Sequence, residues 1–251
     1  MSGHNRWSKV KHTKGPLDAK RGKLFTKLTK ELIVSARTGG GNPDSNARLR
    51  SAILAAKSAS MPKDTIERSI KKGTGELQGE SIEESLYEGY GPGGVAILIE
   101  TTSDNKNRTV SDLRNLFKSG GGNMGEAGSV SWMFTHYGQL HFDKTKWPES
   151  AVMEVALNAG AQDVTDTGES IEVLTEVAEV YKVREVFEKL GMHPTNAGFS
   201  YVPKTSVPVD KKEEAERLLK LLETLEDHDD VQRVHANFEM EDKLFAELAN
   251  Q

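Results

Sequence analysis

Residues 137–175 read YGQLHFDKTKWPESAVMEVALNAGAQDVTDTGESIEVLT, and residues 176–203 continue EVAEVYKVREVFEKLGMHPTNAGFSYVP. Apolar residues at every second position mark a strand, and a three-to-four-residue recurrence marks a helix. On those periods the stretch holds strands at 137–143, 162–166, 170–175 and 195–203, with helices at 148–159 and 179–191. The order is βαββαβ, a split-βαβ sandwich that closes its own core.

The chain on either side supplies a second unit of the same kind. Strands are expected at 82–89, 94–102 and 129–134 with a helix at 106–118, and a helix at 210–226 leads to a strand at 231–238. The expected fold class is therefore α+β, with two ferredoxin-like α/β domains, one inserted in the other. Residues 135–204 form the inserted βαββαβ domain, and residues 76–134 plus 205–251 form the discontinuous α/β domain.

Residues 1–75 remain, and they read as a three-helix domain carrying a basic arm. In DAKRGKLFTKLTKELIVSAR (18–37), a helical period puts Leu24, Phe25, Leu28, Leu32 and Ala36 on one face. Lys20, Lys23, Lys27, Lys30 and Arg37 fall on another face, with Val34 among them. Residues 45–59 gather Leu49, Ala52, Ile53 and Ala56, while residues 62–72 open on Pro62, bury Ile66 and Ile70, and stop at Gly73. Lys23 and Lys27 lie off the apolar face, so reversing their charge is expected to remove binding and spare the fold.

Charge separates the same regions. The formal net charge is −5, yet residues 1–75 hold 17 Lys and Arg against 5 Asp and Glu, and the other 176 hold 16 against 33. A chain polarised in this way presents its first part to a polyanion and turns the rest away. The arm GHNRWSKVKHTKG (3–15) has Arg6, Lys9, Lys11 and Lys14 and no acid. Trp7 within it has two readings: a hydrophobic anchor onto the helices, or a ring that stacks on an exposed base. The candidate nucleic-acid-binding residues are Arg6, Trp7, Lys9, Lys11, Lys14, Lys20, Arg21, Lys23, Lys27, Lys30 and Arg37.

Other chemistry finds little footing. The chain has no cysteine, which removes disulfides, thiolate nucleophiles and cysteine-ligated metals. Its histidines (4, 12, 136, 141, 193, 228 and 235) show no metal-ligand spacing, and no nucleophile–base pair is close in sequence. No catalytic residue, metal ligand or cofactor is assigned. The loops GYGPGG (89–94) and SGGGNMGEAGS (119–129) lack the GK[ST] of a P-loop and read as a hairpin turn and a helix stop with its loop. Helix 62–72 offers Lys63, Arg68, Lys71 and Lys72 beside Asp64 and Glu67, without an evident base-reading pair. The carboxylates of Glu223–Asp230 read as a solvated helix face and its exit. Apolar runs are too short to span a bilayer, and the lack of an apolar leader points to the cytoplasm.

The blocks GHNRWSKVKH, DAKRGKLFTKL, GGGNPDSNARLR, MPKDTIERSIKKGTGE, YEGYGPGG, SGGGNMGEAGSVSWMF and LEDHDDVQRVHANFE together resemble the YebC/PmpR family. That family includes the mitochondrial translational activator of cytochrome c oxidase subunit I. The resemblance implies a helical N-terminal domain, two α/β domains of ferredoxin-like character, and a cytoplasmic protein without enzymatic activity. It maps the family's basic block onto Arg6, Lys9, Lys11, Lys14, Lys20, Arg21, Lys23, Lys27 and Lys30. Two roles follow from it: a DNA-binding transcriptional regulator, or a translation factor at the ribosome and its rRNA that acts on proline-rich stretches. A protein partner for the acidic domains is left open.

Overall fold

The structure, a computed structural model, describes residues 17–79, 81–168 and 170–249. Three helices come first: α1 (Leu17–Gly39), α2 (Ala47–Ser58) and α3 (Lys63–Thr74). They enclose a small core of Leu32, Ala36, Leu49, Ala52, Ala56, Met61 and Ile66. Asn46 ties two of them together. Its Oδ1 caps α2 by accepting from Leu49 N at 3.0 Å, and its Nδ2 donates to Ser35 O and Gly40 O at 2.8 Å each. Gly73 lets α3 cross α1 closely, because a Cβ there would lie 2.4 Å from Ile33 O.

The chain then forms β1 (Glu83–Tyr90) and β2 (Ala96–Ser103), an antiparallel hairpin turned by Gly91–Gly94. Gly93 and Gly94 both have φ near +75°, a region that favours glycine. Next come α4 (Lys106–Ser119), β3 (Asn123–Met124) and β4 (Phe134–Asp143). After them the order is α5 (Glu149–Ala159), β5 (Asp163–Asp166), β6 (Ser170–Thr175), α6 (Val180–Lys189) and β7 (Asn196–Pro203). The chain closes with β8 (Val207–Pro208), α7 (Lys212–Glu226), β9 (Val231–Ala236), β10 (Phe238–Glu239) and α8 (Asp242–Ala249).

These elements fall into two compact units. One comprises the chain through Phe134 together with the chain from Pro203 onward. Its four-stranded sheet runs β3-β1-β2-β9, with Ile97, Ile99 and Val234 packed beneath Phe117 of α4 and Leu218, Leu222 and Leu225 of α7. The other unit, Thr135–Val202, has the order β5-β6-β4-β7, the arrangement of a split-βαβ sandwich. Leu140, Phe142, Ile171 and Val173 meet Val152 of α5 and Val183 and Phe187 of α6 in its core.

The class is α+β, with three N-terminal helices ahead of the sheets, and most elements lie within two residues of their expected positions. The stretch 129–134 differs. Residues Ser131–Met133 form a single tight turn instead of a strand, because the amides needed for a ladder are already taken. Gly128, Val130 and Ser131 donate their N–H groups to the buried Glu88 carboxylate at 2.7, 2.6 and 2.8 Å. The glycine-rich loop thus cradles an anion that the protein itself supplies. Burial alone would raise the Glu88 carboxyl, but these amides outweigh it and hold it below the usual range.

Candidate nucleic-acid interface

Arg6, Trp7, Lys9, Lys11 and Lys14 lie outside the described residues. Lys20 sits in the first turns of α1. Arg21 and Lys23 follow it and are exposed, with the Arg21 guanidinium 5.3 Å from the Phe25 ring centroid. Lys23 Nζ approaches Asp227 Oδ2 at 3.5 Å, a pair whose side chains are both about half exposed. Arg37, on the last turn of α1, is exposed as well.

Lys27 and Lys30 are placed differently. Lys27 Nζ donates to Glu226 O at 2.7 Å, the final residue of α7, where the unsatisfied carbonyls of a helix end favour a cation. Lys30 Nζ donates to Asp229 O at 2.8 Å and to Asp230 Oδ1 at 2.7 Å. The Asp230 side chain is 3% exposed, and its other oxygen accepts from Thr109 Oγ1 at 2.8 Å, Arg108 Nη2 at 3.1 Å and Ser103 Oγ at 3.2 Å. Burial alone would raise the Asp230 carboxyl. Lys30, Thr109 and Arg108 outweigh that and hold it far below the ordinary carboxylate range.

One face of α1 therefore serves two purposes. Its C-terminal half docks onto the α/β part of the same unit, reinforced by Ile33 and Val34 against Ile82. Arg48 of α2 adds a second bridge, reaching Glu31 of α1 at 2.8 Å and Glu84 of β1 at 2.6 Å. The expectation that Lys27 can be reversed without harm does not fit this geometry, since a glutamate there would face the carbonyl end of α7. Asp230, expected among the solvated carboxylates of Glu223–Asp230, is instead buried, and its partners Arg108 and Thr109 carry no signal of this role in the sequence. The signal lay instead in Val34, an apolar residue among the lysines, which marks that face as packed.

What stays open to solvent is still basic. Besides Arg21 and Lys23, the helical region exposes Lys57 on α2 and Arg68, Lys71 and Lys72 on α3. Lys71 and Lys72 occupy the last turn of α3, with Arg68 one turn before, whereas Lys63 at its start pairs with Glu67 at 3.5 Å. Among the described residues, no group of three or more acidic and histidine side chains is arranged to hold a metal ion. No described helix is long and apolar enough to cross a membrane.

Two family models match the chain: the TACO1/YebC protein N-terminal domain over residues 5–76, and the TACO1/YebC second and third domain over residues 82–238. The chain belongs to the TACO1/YebC family. Its relatives in the family include a protein of Desulfotalea psychrophila, 53% identical over 99% of this chain and 100% of that one. Another, from Geobacter sulfurreducens, is 55% identical over 96% of each chain. Both carry the name "probable transcriptional regulatory protein". The crystal structure of a conserved hypothetical protein from Aquifex aeolicus, Aq1575, superposes with a TM-score of 0.87 at 46% identity. It covers 94% of this chain and 98% of its own. The bipartite family match falls on the helical region and the sheet-containing region.

Proposed function

We propose that the protein is a non-enzymatic, nucleic-acid-binding regulator of gene expression that acts in the cytoplasm by occupancy. The observation that carries this reading is the set of exposed cations on the helical region that persists after Lys27 and Lys30 are engaged internally. Arg21 and Lys23 follow the basic arm closely in sequence and extend its run of cations into α1. Such contacts supply affinity with little sequence information and weaken steeply with salt. The names of the relatives favour a transcriptional regulator, and duplex DNA is the polyanion this reading proposes.

A second reading, a factor bound to rRNA on the ribosome, draws support from α3. A helix that reads duplex DNA brings an uninterrupted donor and acceptor surface to the base edges. The first turns of α3 instead expose Asp64 and Glu67 next to Lys63, which would oppose phosphates on both sides of a groove.

Ultraviolet crosslinking in cells, with wild type and an Arg21→Glu/Lys23→Glu variant, tests both. Promoter DNA recovered by wild type and lost in the variant supports the transcriptional reading. Discrete rRNA positions, equally dependent on Arg21 and Lys23, support the ribosomal one. Recovery of no nucleic acid by wild type rejects the proposal.

A further inference from the structure

Trp132 lies outside the helical region, and 64% of it is open to solvent. A single exposed apolar side chain needs no explanation by itself. This one is held in place. Its indole Nε1–H donates to Ser129 O at 3.1 Å, an oxygen that also accepts from Tyr90 Oη at 3.0 Å. Its own carbonyl accepts from Lys204 Nζ at 2.7 Å, and Lys204 N donates to the neighbouring Met133 O at 2.9 Å. The turn that presents the ring hangs from Glu88, whose carboxylate takes the N–H groups of Gly128, Val130 and Ser131.

A buried carboxylate spent on fixing a loop, and a loop spent on fixing an exposed ring, together make a preorganised aromatic surface. Binding to such a surface loses little side-chain freedom. The exposed Lys204 ammonium is held on the backbone carbonyl of the same tryptophan and carries three N–H donors, of which that carbonyl takes one. A presented aromatic ring with a cation fixed on the same residue's backbone matches the repeating chemistry of an unpaired base and its phosphate. A duplex does not fit, because its bases have no free face.

We propose that Trp132 and Lys204 form a second contact for single-stranded nucleic acid, in which an unpaired base stacks on the indole and an adjoining phosphate meets the Lys204 ammonium. The contact rests on the nucleic-acid reading above, and it selects single-stranded or looped segments over duplex.

The chain has three tryptophans, so Trp7→Phe/Trp147→Phe leaves Trp132 as the sole reporter in the full-length protein. Titrating this form with a short oligouridylate at low salt should quench its fluorescence, and inorganic polyphosphate should not. In parallel, anisotropy with labelled oligouridylate should show Trp132→Ala binding about 5- to 150-fold more weakly, with Trp132→Phe in between. Lys204→Ala should lower the log–log salt slope by about 0.7. Thermal melting should be unchanged in all three, and the quenching result stands even if Trp132→Ala folds poorly.

Binding of oligouridylate by the Trp7→Phe/Trp147→Phe form without quenching, or equal quenching by polyphosphate, overturns the stacking contact while the nucleic-acid reading survives. Quenching by an oligoproline peptide in place of oligouridylate also overturns it, in favour of a peptide ligand. If wild type binds neither single-stranded nor duplex nucleic acid, this inference and the reading beneath it fall together.

Discussion

The two halves of α1 both carry cations, and those cations meet opposite fates. In the N-terminal half, Arg21 and Lys23 are exposed and Leu24 is 45% open even on the apolar side. In the C-terminal half, Lys30 is bonded twice, while Leu32 and Val34, on different faces, are both fully buried. Helical periodicity places a side chain on a face but does not say what lies across from it. Here the far side is the end of α7 and the buried Asp230, which turn part of a basic stripe into an internal joint. Charge count alone would have assigned both halves to a polyanion.

The joint is the place to break this comparison. Asp230→Asn leaves the largely buried Lys30 ammonium, and the half-exposed Arg108 beside it, facing a neutral group, and the expected loss is about 3 kcal/mol. Residual bonds from Lys30 to Asp229 O and from Arg108 to Asp104 keep it at the low end of the range for such changes. Denaturant unfolding measures the loss, and its pH dependence identifies its origin. The folded-state pKa of Asp230 lies below its unfolded value, so its contribution is complete above about pH 4 and fades as pH falls further. The gap between wild type and Asp230→Asn should hold constant from neutral pH down to that point and then narrow. A gap that instead widens on acidification would show that the carboxylate is not the source.

Gly73→Ala tests the same half of α1 from its other neighbour. The added Cβ would meet Ile33 O at 2.4 Å and the Ala36 Cβ at 2.8 Å, so α1 and α3 are forced apart. An overpacked helix crossing of this kind costs about 1–3 kcal/mol. At an exposed helical site the same substitution would stabilise by about 1 kcal/mol, so the sign of the change in melting temperature decides.

Arg21→Glu/Lys23→Glu probes the opposite half. Stability should stay within about 0.5 kcal/mol of wild type, because neither side chain is buried. Binding to a polyanion should weaken, and the log–log salt slope should fall by about 2. Lys27→Glu should show the reverse priority, with a lower melting temperature as its main effect. If both variants melt alike and bind alike, the division of α1 is wrong.

Much of this fold is written in periodicity. The βαββαβ order of 137–203 is observed because Leu140, Phe142, Ile171 and Val173 are alternate residues that all face one core. The sequence misleads where a side chain replaces a ladder. The apolar-rich SVSWMF has the residues of a strand, but Glu88, some 40 residues earlier, takes the amides that a strand would use. Helix α8 also went unread, although Leu244, Phe245 and Leu248 pack on the larger core. At the candidate interface, the acidic exit of α7 looked like solvated charge, yet Asp230 is buried among donors from α1, α4 and the end of β2. No spacing rule joins Lys30, Arg108 and Asp230, because their meeting depends on how the helical and sheet parts pack.

The smallest effect sits on the boundary between the two halves. Lys23 faces Asp227 at 3.5 Å with both side chains about half exposed, so it touches the α7 exit without being captured by it. An exposed ion pair of this kind contributes little to folding, and Asp227→Ala should leave stability within about 0.5 kcal/mol. Its consequence should appear in binding instead. Removing a carboxylate beside Lys23 relieves repulsion of an incoming phosphate, and affinity for a polyanion should rise about 1.5- to 5-fold at low salt, with the gain fading as salt screens it. Unchanged binding with a lowered melting temperature would move Lys23 into the joint. The exposed stretch of α1 would then end at Arg21, and the weight of phosphate contact would shift to Arg68, Lys71 and Lys72 on α3.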